Sequence, residues 1–276
     1  MVVNDSPLVS IITPVCNGSD YLEELILSVR SQDYPNIEHI VIDDGSRDEG
    51  ATVGVLHRHP YVSWWSQENK GQYATMNEGL RAAEGELVCF VSADDIVSTG
   101  AVSAVVKFWL EHPEYDGVFG LTGRMNSAGQ KIPYFIPFQA APLAFYPYFA
   151  HISHCSLYMK KESIVKSELF FDPSLYYVGD YEWMIRIRKA HLRIGFLRSE
   201  LSRVRLHTNQ ASQRYSKDSR RETETVIARH QISRFAFGVL NRFYRTLFKI
   251  WYASQAAKKG EMTMLIQRRI DKYGSK

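Results

Sequence analysis

Leu87-Val88-Cys89-Phe90-Val91-Ser92-Ala93-Asp94-Asp95 is an apolar run that ends abruptly on two adjacent carboxylates. Its length and its valine and aromatic content read as a buried strand, with the paired acids at the mouth of a sheet. Two such charges side by side are costly unless a cation or a donor-rich ligand sits between them. A helix N-cap with a second acid in the first turn reads identically, so the pair alone leaves both open. A second strand ends the same way: Glu38-His39-Ile40-Val41-Ile42-Asp43-Asp44-Gly45-Ser46.

Outward from these two runs the first 120 residues alternate regularly. Leu8 to Val15 is a buried strand, and Asp20 to Ser31 carries Leu22, Leu25, Ile26 and Val29 at helical spacing. Helical stretches are predicted over 48–57, 72–83 and 99–111, with strands at 62–65 and around 117–119. This order predicts an α/β fold, a mostly parallel sheet with helices on both faces. Ligands of such sheets bind beyond the carboxyl ends of the strands, where both acid pairs lie. From Thr122 the pattern changes to hairpins and a proline-rich aromatic loop, then a strand at 156–159 and a helix at 181–190. The expected organisation is one domain over 1–212, with a regular half (1–120) and an irregular half (121–212). A basic, aromatic, helical tail follows over 213–276.

Composition fits a globular protein: 276 residues, 45% hydrophobic and 23% charged. The net charge of +3 is uneven, because residues 215–276 hold 14 Lys and Arg against five Asp and Glu. Cys16, Cys89 and Cys155 are far apart, which suggests neither a disulfide framework nor a zinc site and fits a reducing compartment. The start lacks a basic and then apolar leader, and Pro133, Pro137, Pro142 and Pro147 interrupt the longest uncharged stretch. The expected location is cytoplasmic, or peripheral on the inner face of a membrane. No GxGxxG follows the first strand and no GxxxxGK[ST] occurs, so phosphates bound here need another counter-charge. Mg²⁺ or Mn²⁺ on the paired acids can supply it.

Three blocks together carry a resemblance. They are Pro7 to Asn17 with Ile42-Asp43-Asp44-Gly45-Ser46; Asn69-Lys70-Gly71-Gln72 with Met76-Asn77-Glu78-Gly79; and Ser92-Ala93-Asp94-Asp95. The chain resembles family 2 glycosyltransferases of the GT-A fold over about residues 7–212. The resemblance implies an inverting enzyme with a nucleotide-sugar donor. It implies donor contacts from Thr13, Pro14, Asp44, Lys70, Gly71, Asp94 and Asp95, with Asp95 ligating Mg²⁺ or Mn²⁺. It places the general base at Asp180, which also reads as the cap of an apolar-periodic helix, with Glu182 as the other candidate. His154, Arg205 and His207 are candidates to touch acceptor, diphosphate or metal, and each also reads as an ordinary edge or loop residue. Cell-surface glycan or polysaccharide synthesis, on a glycan or lipid-linked acceptor, is the implied setting.

In the tail, aromatics interleave with Arg and Lys over 229–252. This suits an anionic membrane surface or a helix docked on the catalytic domain; nucleic acid is the least favoured partner. Two other classes remain open from sequence: a nucleotidyltransferase on a similar sheet, and a non-catalytic membrane-surface adaptor that keeps the fold.

Overall fold

The computed structural model describes residues 6–132, 143–208 and 216–258. The parallel part of the sheet expected from sequence forms around four strands: β1 (Val9–Val15), β2 (Ile37–Asp44), β3 (Ser63–Gln67) and β4 (Leu87–Phe90). They run parallel in the order β3-β2-β1-β4. The chain order reverses between β1 and β4, which opens a crevice at the carboxyl ends of these strands.

The sheet continues through β8 (Leu157–Lys160), β6 (Gly117–Asn126), β9 (Ile194–Leu206) and β5 (Ile96–Val97), with β7 (Lys131–Ile132) paired to β6. Here parallel and antiparallel pairings mix: β8 is antiparallel to both neighbours, while β6 and β9 are parallel. Period two sorts β1 between two cores. Ile12 packs with Tyr73, Met76 and Leu80 of α3 (Gln72–Ala82) and with Trp183 and Met184 of α7 (Gly179–Lys189). On the other face, Val9 and Ile11 pack with Leu25 and Val29 of α1 (Leu22–Arg30) and with Val102 and Val105 of α4 (Ala101–Glu111). Each such fully buried aliphatic side chain contributes about 1.5–3 kcal/mol of transfer free energy. The short helices α2 (Ala51–His57), α5 (Tyr146–Phe149) and α6 (Lys161–Lys166) complete this part.

Three sequence expectations change. The strand expected to run to Asp94 stops at Phe90; the Val91 N–H still reaches Ile12 O at 2.9 Å, and then Asp95 N bonds Ser92 O at 3.0 Å. The paired acids therefore sit on a turn that redirects the chain into β5. Second, β9 is a 13-residue strand that periodicity missed. Arg198, Glu200, Arg203 and Arg205 interrupt its apolar alternation, and its pairing with β6 is irregular at Gly120–Thr122. Third, the hydrophobic core continues past 212. The tail is helical, as α8 (Ser216–Arg229) and α9 (Arg234–Lys258), and Val226 of α8 belongs to the α3–α7 core. The expected loops at 133–142 and 209–215, and the end of the tail at 259–276, lie outside the described residues.

Candidate active site

Two groups of residues stand at the carboxyl edge of the sheet. The first surrounds Asp44, the last residue of β2. Its carboxylate accepts the N–H groups of Lys70 and Gly71, both at 2.9 Å, and the Gln67 side-chain amide at 2.9 Å. Asp44 thus shapes the turn between β3 and α3. That turn needs Gly71 at φ +86°, a conformation that favours glycine. Lys70 is exposed, with its ammonium 3.6 Å from Glu78. Thr13 and Pro14 are buried within β1, and the Thr13 hydroxyl pairs with His39 Nε2 at 3.1 Å. Thr13, one of the expected donor contacts, is thus enclosed within a central strand of the sheet. Burial also pushes His39 down to about 3, so its imidazole is neutral.

The second group is a continuous chain of polar contacts from Asp180 to His207. Asp180 opens α7, where Oδ1 accepts the Tyr181 N–H at 2.9 Å and the Tyr73 hydroxyl at 3.2 Å. Oδ2 lies 3.3 Å from His154 Nδ1. Burial alone raises the Asp180 carboxyl, but the His154 hydrogen bond and charge, with the other donors, bring it below its ordinary 3.8. Tyr73 reaches Asp180 because residue 179 is glycine: a Cβ there would stand 2.6 Å from the Tyr73 ring. Glu182, the other base candidate, faces inward and is 2% exposed, paired with Arg186 and His230.

On its far side, His154 Nε2 stands 3.4 Å from Cys155 Sγ, and that thiol donates to Asp95 Oδ2 at 3.1 Å. Burial pushes the Cys155 thiol up, but the His154 charge brings it to about 7. Burial lowers His154, yet Cys155 and Asp180 together hold it well above 6.5. Sequence reasoning assigned Cys155 no place in the site; its adjacency to His154 was the one available signal.

Asp95 is 4% exposed, and its Oδ1 accepts the Arg205 backbone N–H at 2.9 Å. Burial, then Cys155 and Asp94, push its carboxyl well above 3.8. The Asp95 carboxylate, expected to ligate the metal, is turned into the protein in this structure. Asp94 takes the outward position, and its Oδ2 lies 2.9 Å from His207 Nε2. Arg205, a candidate acceptor or phosphate contact, is likewise enclosed. Its guanidinium is buried between the Tyr21 ring, Glu24, the Asp94 carbonyl at 2.9 Å and the Ser127 carbonyl at 3.2 Å. It pins β9 to the 92–95 turn.

Among the described residues no cluster of three His, Cys, Asp or Glu side chains stands ready to hold a metal. The Asp94–His207 pair nevertheless fits a divalent cation whose remaining ligands come from phosphate and water, since such ions commonly use one or two protein groups. Chemically, the arrangement places an ionised carboxylate, Asp180, in one connected site with a carboxylate–imidazole pair that suits a cation.

Comparison with known proteins bears on the family and the fold. The model of the family described as Glycosyl transferase family 2 matches residues 10–164. An uncharacterized glycosyltransferase of Rickettsia felis is 30% identical over 218 residues, which is 76% of this chain and 36% of the relative. A candidate teichuronic acid biosynthesis glycosyltransferase of Bacillus subtilis, TuaG, is 32% identical over 115 residues, 40% of this chain and 45% of the relative. The chain therefore spans about a third of the length of the Rickettsia felis relative and under half of TuaG. Among solved structures, Staphylococcus aureus TarS 1–349 in complex with UDP-GlcNAc superposes with a TM-score of 0.62 at 18% identity, over 86% of this chain and 71% of that one. The mannosyltransferase PcManGT from Pyrobaculum calidifontis, in complex with GDP-Man and Mn²⁺, gives 0.56 at 17% identity, over 98% of this chain and 88% of that one. Such likenesses establish the GT-A fold. With more than half of its length matched by the family model, the chain belongs to glycosyl transferase family 2.

Proposed function

We propose that this chain is an inverting glycosyltransferase that moves a sugar from a nucleotide-diphosphate donor to a hydroxyl acceptor, with Asp180 as general base. The observation that carries the reading is the Asp180 carboxylate. It is kept ionised by His154 at 3.3 Å and oriented by Tyr73 and the Tyr181 N–H, on the first turn of a rigid helix. An ionised carboxylate can take the acceptor's hydroxyl proton as the oxygen attacks the anomeric carbon and the nucleoside diphosphate leaves. Asp94 and His207 would hold Mg²⁺ or Mn²⁺, which offsets charge developing on the leaving diphosphate. Family membership favours this over nucleotidyl transfer, and the intact acid set favours it over a non-catalytic adaptor. The donor contacts assigned by resemblance to Asp44, Lys70 and Gly71 stand with this proposal. The relationship to TuaG supports a cell-surface polysaccharide as the acceptor class.

A thermal-shift panel of UDP, GDP, dTDP and CDP, with and without Mn²⁺, tests the donor site, because a ligand bound only by the native state raises Tm. Release of nucleoside diphosphate from UDP-GlcNAc or GDP-Man then tests the chemistry. Stabilisation by one nucleotide and turnover lost in Asp180→Asn are the expected results. Turnover unchanged in Asp180→Asn would remove the base assignment.

A membrane contact through α9 belongs to the same proposal. No helix among the described residues is long and apolar enough to cross a membrane. Yet α9 rests on α5, with Asn241 donating to the Tyr148 carbonyl at 3.0 Å, while its opposite face exposes Phe235 (82%), Val239, Phe243 and Ile250 beside Arg234 and Arg242. An apolar stripe edged by guanidinium groups complements an anionic lipid surface. Co-sedimentation with phosphatidylglycerol vesicles but not with phosphatidylcholine vesicles, lost in Phe235→Ser/Phe243→Ser, is the expected outcome. Equal behaviour with both vesicles would remove the proposal.

A further inference from the structure

We propose that Glu222 of α8 is a positioning residue for Asp180, so that the C-terminal helix is part of the catalytic apparatus and not an appendage to it. The inference rests on Asp180 being the base.

Glu222 accepts hydrogen bonds from three consecutive backbone N–H groups: Tyr176 at 2.8 Å, Tyr177 at 2.7 Å and Val178 at 3.2 Å. Val178 is the N-cap position of α7, and no side-chain cap bond forms there. Gly179 and Asp180 follow directly. The carboxylate thus holds the peptide groups that aim the first turn of α7, and charge-assisted bonds of this kind are stronger than neutral ones.

The same segment also touches the donor side. Gln72 donates its side-chain amide to the Tyr176 carbonyl at 3.0 Å, and the Tyr176 ring lies 3.6 Å from where a Cβ on Gly71 would stand. Residues 176–178 therefore bridge the turn shaped by Asp44 and the helix end that carries Asp180. Glu222 is the group from outside both elements that holds the bridge.

Docking of α8 does not depend on Glu222. Val226 and Ile227 are buried, His230 Nε2 lies 2.9 Å from Glu182, and Arg229 pairs with Asp172. Removing the Glu222 carboxylate leaves these anchors in place, so loop order and helix docking can be separated.

The test compares Glu222→Ala, Glu222→Gln and Arg229→Ala in the full chain. Arg229→Ala weakens an anchor of α8 without touching 176–178. Hydrogen exchange is expected to quicken in Glu222→Ala over 176–181, with the turn at Gly71 and the strands unchanged and Arg229→Ala resembling the wild type. With UDP-GlcNAc or GDP-Man, kcat should fall about tenfold to a hundredfold while the donor KM stays near wild type, because misplacing a reacting group costs rate more than binding. Glu222→Gln, which keeps one acceptor oxygen, should fall between. Unchanged exchange over 176–181, equal losses in Arg229→Ala, or a loosened loop with unchanged kcat would each overturn the inference. If the wild type releases nucleotide from neither donor, the failure belongs to the transferase reading. Exchange over 176–181 against the Arg229→Ala control then decides the role of Glu222.

Discussion

His154 Nδ1 lies 3.3 Å from Asp180 Oδ2, and this contact ties the candidate base to the far side of the site. Through its other nitrogen the same ring meets Cys155, and through Cys155 it meets Asp95. Tyr73 approaches Asp180 from α3, and burial, then the charge of Asp180, raises the Tyr146 hydroxyl. Of these groups, His154 is the cation that lowers the Asp180 carboxyl.

The acid limb of the pH–rate profile follows from that contact. Asp180 works as a base only when ionised, and His154 depresses its pKa, so activity should persist as pH falls toward the low carboxylate range. In His154→Gln the cation is gone, the Asp180 pKa rises, and the acid limb should move to higher pH. Steady-state rates across pH check this; an unmoved limb would show that His154 does not tune the base. Asp180→Asn should lower turnover by about 10²–10⁴-fold.

Metal removal separates the two adjacent aspartates. EDTA should abolish wild-type turnover, and Asp94→Ala and His207→Ala should each lose the gain in nucleotide affinity that Mn²⁺ provides. Asp95→Asn should keep that gain and instead lower Tm, since its carboxyl bonds the Arg205 N–H and Cys155. Calorimetric titration of the nucleotide with and without Mn²⁺ reads both effects.

Gly179→Ala should destabilise the protein by about 1–3 kcal/mol, the usual cost of overpacking. The new methyl group would meet the Tyr73 ring at 2.6 Å, and that ring is already stacked on Phe171. A fall in Tm together with a loss of rate beyond that of Tyr73→Phe would show that the glycine serves the placement of Asp180.

Stability should fall with acid through His39. Its folded pKa is about 3 against an ordinary 6.5, so between these values the unfolded chain binds more protons than the folded one. Unfolding free energy therefore rises with pH over that window, by up to about 1.4 kcal/mol per unit. His39→Gln keeps a polar partner for Thr13 and should flatten this slope in urea unfolding measured from pH 6.5 downward. An unchanged slope would mean that other groups dominate.

Local sequence determined the parallel half of this protein and the positions of its acids. The strands ending at Val15 and Asp44, the start of the strand at Leu87, and the helices between them follow from short-range apolar periodicity, a signal each element carries within itself. Asp180, the acid pair and His207 were singled out as polar residues where such elements stop and through the family resemblance, and their roles stand as proposals. Tertiary structure alone decided what those residues touch. Asp94 faces outward and Asp95 inward because β9, a strand hidden by its charged residues, presents the Arg205 N–H to one and His207 to the other. Arg205 is buried because Glu24 and Tyr21, far away in sequence, close over it. Cys155 and Glu222 gained their places through contacts with Asp95 and residues 176–178 that no local pattern encodes. Periodicity reports which face of an element is apolar; the partner of a polar group depends on how distant elements pack.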